Sequence, residues 1–322
     1  MKMKSLVVVL VMCLMATSVF ATNSWLGANG ETYWSQATGW SRAYAPIGDS
    51  EQTKLANRSG ALAICTLNSA VAAGEFTTQK LTIGGTATSG LWDDAPQLII
   101  VDGGSVSIGN ELQIGDSSSK RGKLIQTGGT ITLTGKLEVG YKSTAGYGGT
   151  YTISGGTIAG ANNGRLMIGG GGQANSEGVM TIQGSAASIT VDKLSVGCSD
   201  SLGTYAGRGT LAFEIVNGSV TAINAADVYI DPANAAGSIT SLLVSGTGSA
   251  PTADIILINN TGGGAVLGVF DDAAEGAIFN VGGVDMTLTY VGGTGNDVVL
   301  LIPEPATIAL LGLGLLAIRR KK

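Results

Sequence analysis

Through the middle of the chain apolar and polar residues alternate in short runs that stop at glycine. One phrase, apolar-x-apolar-Gly, returns five times, at residues 81–84, 112–115, 137–140, 166–169 and 194–197, at intervals of 31, 25, 29 and 28 residues. A second phrase lies upstream of four of these copies: Gly104-Ser105-Val106-Ser107, Gly129-Thr130-Ile131-Thr132, Gly156-Thr157-Ile158-Ala159 and a looser Ala187-Ser188-Ile189-Thr190, with Gly218-Ser219-Val220-Thr221 continuing the series. Alternating stretches such as Lys123-Leu124-Ile125-Gln126 and Thr150-Tyr151-Thr152-Ile153 precede them again. Period-2 alternation predicts strands, glycine marks corners, and self-similarity at 20 to 50 residues predicts a solenoid. The expected fold is therefore all-β, a right-handed parallel β-helix with three short strands per turn; a β-sandwich or jelly roll, the alternative, does not require a phrase repeated five times.

In such a helix the middle residue of a strand points inward and its neighbours outward. Successive turns are thus expected to align Ser105, Thr130, Thr157, Ser188 and Ser219 in one outward file, and Ser107, Thr132, Thr190 and Thr221 in another, with Ala159 as the interruption. This uncharged hydroxyl face is a candidate surface for sugar hydroxyls or ice, set against the plain reading that Ser and Thr are good solvent-facing strand residues. Solenoid ends need caps. Trp25, Trp34 and Trp40, with Trp92 beyond them, are explained by an N-terminal cap, with a sugar-stacking platform as the alternative, and strands over 255–258, 277–279 and 286–290 read as a closing module. The expected division is a signal segment over 1–21, the cap over 22–80, repeats over 81–231, the closing module over 232–302 and a terminal segment over 303–322.

Both ends have the composition of addresses. Lys2 and Lys4 precede an apolar run from Leu6 to Ala16, and small residues lead to a cleavage position between Ala21 and Thr22. At the other end Pro303, Glu304 and Pro305 precede thirteen apolar or small residues, Ala306 to Ile318, and then Arg319, Arg320, Lys321 and Lys322. Thirteen helical residues span about 20 Å against about 30 Å of bilayer hydrocarbon, which suits a transient transmembrane helix better than a permanent anchor. The four cations act as a cytoplasmic stop.

Composition narrows the chemistry. The 322 residues include 51 Gly, no His and 13% charged residues, so the usual material of acid/base and metal catalysis is scarce. Removing six terminal cations and Glu304 takes the net charge from −5 to −10 for residues 22–302, which disfavours nucleic acid as a partner. Cys65 and Cys198 are expected as lone buried thiols, and no cofactor is expected. Scattered acids such as Asp102, Glu111, Asp116, Glu138 and Asp192, with Lys120, Arg121, Lys123 and Arg165, show no facing carboxylate pair in sequence. Asp271, Asp272 and Glu275 form a further acidic cluster.

The trio Pro303-Glu304-Pro305, the short apolar helix and the terminal Arg319-Arg320 cluster resemble the PEP-CTERM sorting signal of Gram-negative bacteria. The resemblance covers about twenty residues and implies export, passage through the inner membrane, processing by an exosortase and company with extracellular polysaccharide; an ordinary tail anchor is the alternative. The flanks of the repeat region are similar to those of autotransporter-type β-strand-repeat proteins. Residues 292–300, GGTGNDVVL, resemble one calcium nonapeptide of RTX β-rolls, although a solitary copy supplies only part of a calcium shell and a hairpin turn is the alternative reading of Asp297. The function expected from these observations is a non-catalytic β-helical spacer or adhesin at the cell surface or in its matrix. A polysaccharide lyase-like β-helix enzyme is the alternative, with an ice- or glycan-binding face as a narrower one.

Overall fold

The computed structural model describes residues 22–25, 30–33, 52–55, 63–68, 77–84, 95–116, 121–141, 148–171, 176–198, 207–231 and 238–303. The signal segment, Trp34, Trp40, Trp92 and the tail beyond Pro303 lie outside them, as does the side chain of Trp25.

Parallel strands stack into three faces. The first face runs through Gly30–Tyr33, Ala63–Leu67, Gln97–Ile100, the start of Arg121–Leu133, the start of Gly148–Gly171, Ser176–Gln183, Gly207–Val216 and Ile239–Thr247. The second is built from residues 105–108, 130–133, 157–160, 188–191, 223–225 and 258–260. The third follows Thr22–Trp25, Gln52–Leu55, then residues 80–83, 111–114, 136–139, 165–168, 193–196 and 227–230. The parallel files thus reach beyond the repeated phrases, starting at Thr22 and including Leu267–Gly268 on the third face.

The repeated leucines form one internal column. Leu81, Leu112, Leu137, Leu166, Leu194 and Val228 are register partners on successive turns and each is at most 1% exposed. Val106, Ile131, Ile158, Ile189, Ile223 and Ile258 make a second column behind the second face. Stacking like on like lets each turn bury apolar area that it has no means of burying alone. The column behind the first face contains one polar break. Gln126 and Tyr151 are both fully buried; the Tyr151 hydroxyl donates to Gln126 Oε1 at 2.5 Å, and Gln126 Nε2 donates to the carbonyls of Gly129 and Thr157 at 3.3 and 3.2 Å.

The glycine that closes four of the five phrases has a geometric reason. Gly115, Gly140, Gly169 and Gly197 have φ of 80°, 88°, 72° and 70°, the left-handed region that other residues adopt only with strain. They end the third face, and the chain re-enters the first at Gly122, Gly149, Gly178 and Gly209. A Cβ on any of these four would stand 2.0–2.4 Å from the carbonyl oxygen of Ile83, Ile114, Val139 or Ile168. The corner therefore demands glycine twice, once for dihedral angle and once for space.

The closing module changes from parallel to antiparallel pairing. Asp297–Leu301 lies between Ile255–Asn260 and Val284–Gly292, and Ile278–Val281 pairs with Val284–Gly292. The acidic cluster supplies backbone acceptors here. Asp271 Oδ2 receives the Thr240 N–H at 2.7 Å, Asp272 Oδ1 receives the Leu242 N–H at 2.9 Å, and the Asp271 N–H returns a bond to the Thr240 carbonyl. These contacts satisfy outer-edge groups of the last first-face strand, which would otherwise be open for pairing. Glu275 receives the Tyr290 N–H at 2.7 Å. The Tyr290 hydroxyl donates to the Ala273 carbonyl, and burial pushes its pKa up to about 12.

Two substitutions test this packing by chemical denaturation followed by circular dichroism. Leu137→Ala is expected to cost about 3 kcal/mol, because the rigid rungs above and below prevent collapse of the cavity. Tyr151→Phe is expected to cost about 1–3 kcal/mol, the penalty of leaving buried Gln126 Oε1 without its donor.

Candidate functional site

The second face carries the predicted hydroxyls. Ser105, Thr130, Thr157 and Ser188 are register partners on four successive turns, and Ser107, Thr132, Ala159 and Thr190 run beside them. Among the described residues none of the seven side-chain hydroxyls is spent on a protein partner. They line a flat strip of donors and acceptors at a rung spacing of about 4.8 Å.

Ser219 and Thr221 do not continue these files. The partner of Ile189 is Ile223, so Asn224 follows Thr190 and Asn259 follows Asn224. Asn217 and Gly218, with φ of 51° and 76°, form a tight turn closed by mutual hydrogen bonds between Val216 and Ser219, and the strand begins only at Ile223. Thr221 is instead nearly buried and donates to the Ala187 carbonyl at 3.0 Å. The replacement residues form an amide ladder: Asn259 Nδ2 donates to Asn224 Oδ1 at 2.8 Å, and Asn224 Nδ2 donates to the Ile189 carbonyl at 3.0 Å.

A second polar file lies on the third face, at the position immediately before each repeated leucine: Lys80, Glu111, Lys136, Arg165, Lys193 and Asp227. Its signal in the sequence is that register position. Glu111 sits between Lys80 at 2.9 Å and Lys136 at 3.0 Å, and Lys136 also reaches Glu138 at 2.9 Å. Buried Gln113 donates to Glu111 at 2.9 Å and to Glu138 at 3.1 Å, while both lysines approach the ring of Tyr141. Further along, Lys193 meets Asp227 at 3.4 Å. Glu111 and Glu138 are thus committed to lysines rather than turned toward each other across a cleft.

The other acids have structural partners too. Asp297 is buried; its Oδ1 receives the Asn260 N–H at 2.8 Å and its Oδ2 the Thr294 N–H at 2.9 Å, so its carboxylate organises the turn over 293–296. Asn296 Nδ2 donates to the carbonyls of Gly262 and Gly264. Among the described residues no group of three or more Cys, Asp or Glu is placed to hold a metal ion. Cys65 and Cys198 are buried in separate places and are not joined in a disulfide, and burial pushes the Cys65 thiol up.

Burial by itself would raise the Glu111 pKa, but hydrogen bonds from Lys80 and Lys136, together with their charges, outweigh it and hold the carboxyl below its ordinary value. A carboxyl depressed in the folded state contributes stability above its unfolded pKa and loses it as pH falls through the folded one. Below about pH 4.5 the native chain is therefore expected to weaken, and Glu111→Gln to weaken less steeply, when unfolding midpoints are compared between pH 7 and pH 3.

Both ends of the solenoid lead directly into the address segments. Thr22, the first residue after the expected cleavage at Ala21, opens a third-face strand paired with Gln52. Pro303 is exposed and follows the last strand, where the Ile302 N–H is tied to Asp254 at 2.8 Å. Glu304, Pro305 and the cations from Arg319 to Lys322 lie beyond the described residues. Compared with known proteins, the chain matches the PEP-CTERM protein-sorting motif over residues 301–322. No curated protein and no solved structure matches it. With a parallel β-solenoid delivered directly into Pro303 and that motif at its end, the chain carries a PEP-CTERM sorting signal, the mark of an exported, membrane-anchored precursor handled by an exosortase-type enzyme.

Proposed function

We propose that the mature chain is a non-catalytic, rigid β-helical spacer or adhesin of the cell surface or extracellular matrix, associated with exopolysaccharide. The observation that carries this reading is the second face, where unspent hydroxyls of Ser105, Ser107, Thr130, Thr132, Thr157, Ser188 and Thr190 lie in file on a rigid scaffold. Such a strip offers hydrogen bonds in both directions and no fixed charge, which suits neutral sugar hydroxyls. The commitment of Glu111, Glu138 and Asp297 to structural partners supports a binding role over hydrolysis or elimination. In this reading Pro303, Glu304 and Pro305 are read by the exosortase at the membrane surface while Arg319 to Lys322 hold the tail in the cytoplasm during a transient association.

Two measurements test the proposal. Full-length chain incubated with a panel of acidic polysaccharides is expected to release no unsaturated oligosaccharide; release would establish the lyase alternative. The double substitution Thr130→Glu and Thr132→Glu is expected to reduce retention on immobilised neutral glycan at least tenfold, and retention equal to that of the unmodified chain would eliminate the hydroxyl face as the binding surface.

A further inference from the structure

The third-face charge file has one member for which the described residues supply no counter-charge. Its order is cation, anion, cation, cation, cation, anion, from Lys80 to Asp227. Lys136 is engaged by Glu111 and Glu138 toward one end of the solenoid, and Lys193 by Asp227 toward the other. Arg165 stands between these two lysines on the intervening turn, exposed, and among the described residues it has no acidic partner. An exposed guanidinium between two lysines that are already paired leaves a local excess of positive charge, which an anion from outside would complement.

An independent irregularity falls on the same turn. On four other turns the corner between the second and third faces is one or two residues long, Gly109-Asn110, Thr134-Gly135, Asp192 and Ala226, and only the last corner, between Asn260 and Leu267, is comparably wide among the described residues. Before Arg165 it widens to residues 161–164, and the register shifts between Gly160 and Arg165. The base of this projection is closed by contact of Gly160 with Gly164, where a Cβ on Gly164 would stand 2.4 Å from Gly160. Asn162 and Asn163 are exposed at its tip, Asn163 in the left-handed region with φ of 64°. Local bulges of this kind re-aim side chains and occur beside binding sites more than elsewhere.

We propose that Arg165, with Asn162 and Asn163 beside it, is the seat for a carboxylate of an acidic polysaccharide, a second glycan contact on a different face from the hydroxyl strip. The guanidinium takes the carboxylate through two parallel N–H donors. The two amides, each both donor and acceptor, bond the neighbouring sugar hydroxyls. Lys136 and Lys193 add attraction from either side without needing to leave their own partners. The seat rests on the proposed polysaccharide surroundings only for its choice of ligand; its residues are separate from those of the hydroxyl strip.

The test uses full-length chain in mild detergent and affinity electrophoresis through gels containing a homopolymeric uronate, a neutral glucan or polyglutamate. The unmodified chain is expected to be retarded by uronate, less so as salt rises. Arg165→Gln is expected to weaken uronate retention at least tenfold while leaving neutral-glucan retention unchanged, and Arg165→Lys to restore part of it, since charge returns without the fork. Thermal midpoints keep the comparison interpretable: Arg165→Gln is expected to unfold at the same or a higher temperature because a like-charge contact is relieved. Absence of uronate retention in the unmodified chain, or equal retention in Arg165→Gln, overturns the seat. Either result leaves the hydroxyl strip standing if Thr130→Glu with Thr132→Glu still loses neutral glucan. Polyglutamate retention as strong as that by uronate would assign the seat to an acidic protein and overturn the glycan assignment.

Discussion

The corner where the third face returns to the first governs the rest of the molecule. There the backbone of one turn lies directly against that of the preceding one, closely enough that Gly122, Gly149, Gly178 and Gly209 have no room for even a methyl group. Paired with the positive-φ glycines Gly115, Gly140, Gly169 and Gly197, this contact sets how far one turn sits above another and holds the turns in register. Register then decides everything that faces outward. In a stacked structure a shift of one residue exchanges inside for outside along the whole strand, so a corner that admits only one placement also defines which hydroxyls and charges become neighbours.

Stacking converts distance along the chain into adjacency. Residues about 25 to 35 positions apart become nearest neighbours, and the outward face of each strand acquires a file whose character depends on what the sequence places at that one position. On the second face that position carries small hydroxyls and then amides; on the third it carries alternating charge until Arg165 breaks the alternation. The core is mostly apolar by comparison, and within it Gln126 and Tyr151 satisfy each other and two backbone carbonyls. A buried polar pair of this kind favours its own register, because a slip would strand both groups without partners.

The ends of the stack are where ordinary repeat logic stops. A parallel edge left bare is open to pairing with another chain, and here the carboxylates of Asp271 and Asp272 take the place of a further strand at Thr240 and Leu242. Antiparallel strands up to Leu301 then close the fold and deliver Pro303 to the surface. The acidic cluster and the Asp297 turn, both of which had the composition of cation sites, serve as backbone acceptors. Composition alone does not separate these roles, since a carboxylate receiving N–H bonds and one receiving a metal look alike in a sequence.

The repeat of Leu, apolar residue and Gly determined by itself that the chain would coil into stacked β turns, because period-2 strands with glycine corners have one economical way to bury their apolar side. It likewise determined the inward column at 112, 137, 166 and 194, the alignment of Ser105 with Thr130, Thr157 and Ser188, and the sorting signal, whose recognition needs only local order of residues. Tertiary structure decided what depends on corner length. Gly218-Ser219-Val220-Thr221 repeats the earlier phrase letter for letter in type, yet the turn at Asn217 and Gly218 consumes it before the strand begins, and Asn224 and Asn259 take the places that Thr221 had been expected to extend. That no acid among the described residues reaches Arg165 was equally illegible in one dimension, since it depends on which acid reaches which lysine across turns of unequal length. Phrases report the chemistry of each position; only the closed coil, through the room its corners leave, reports which positions meet.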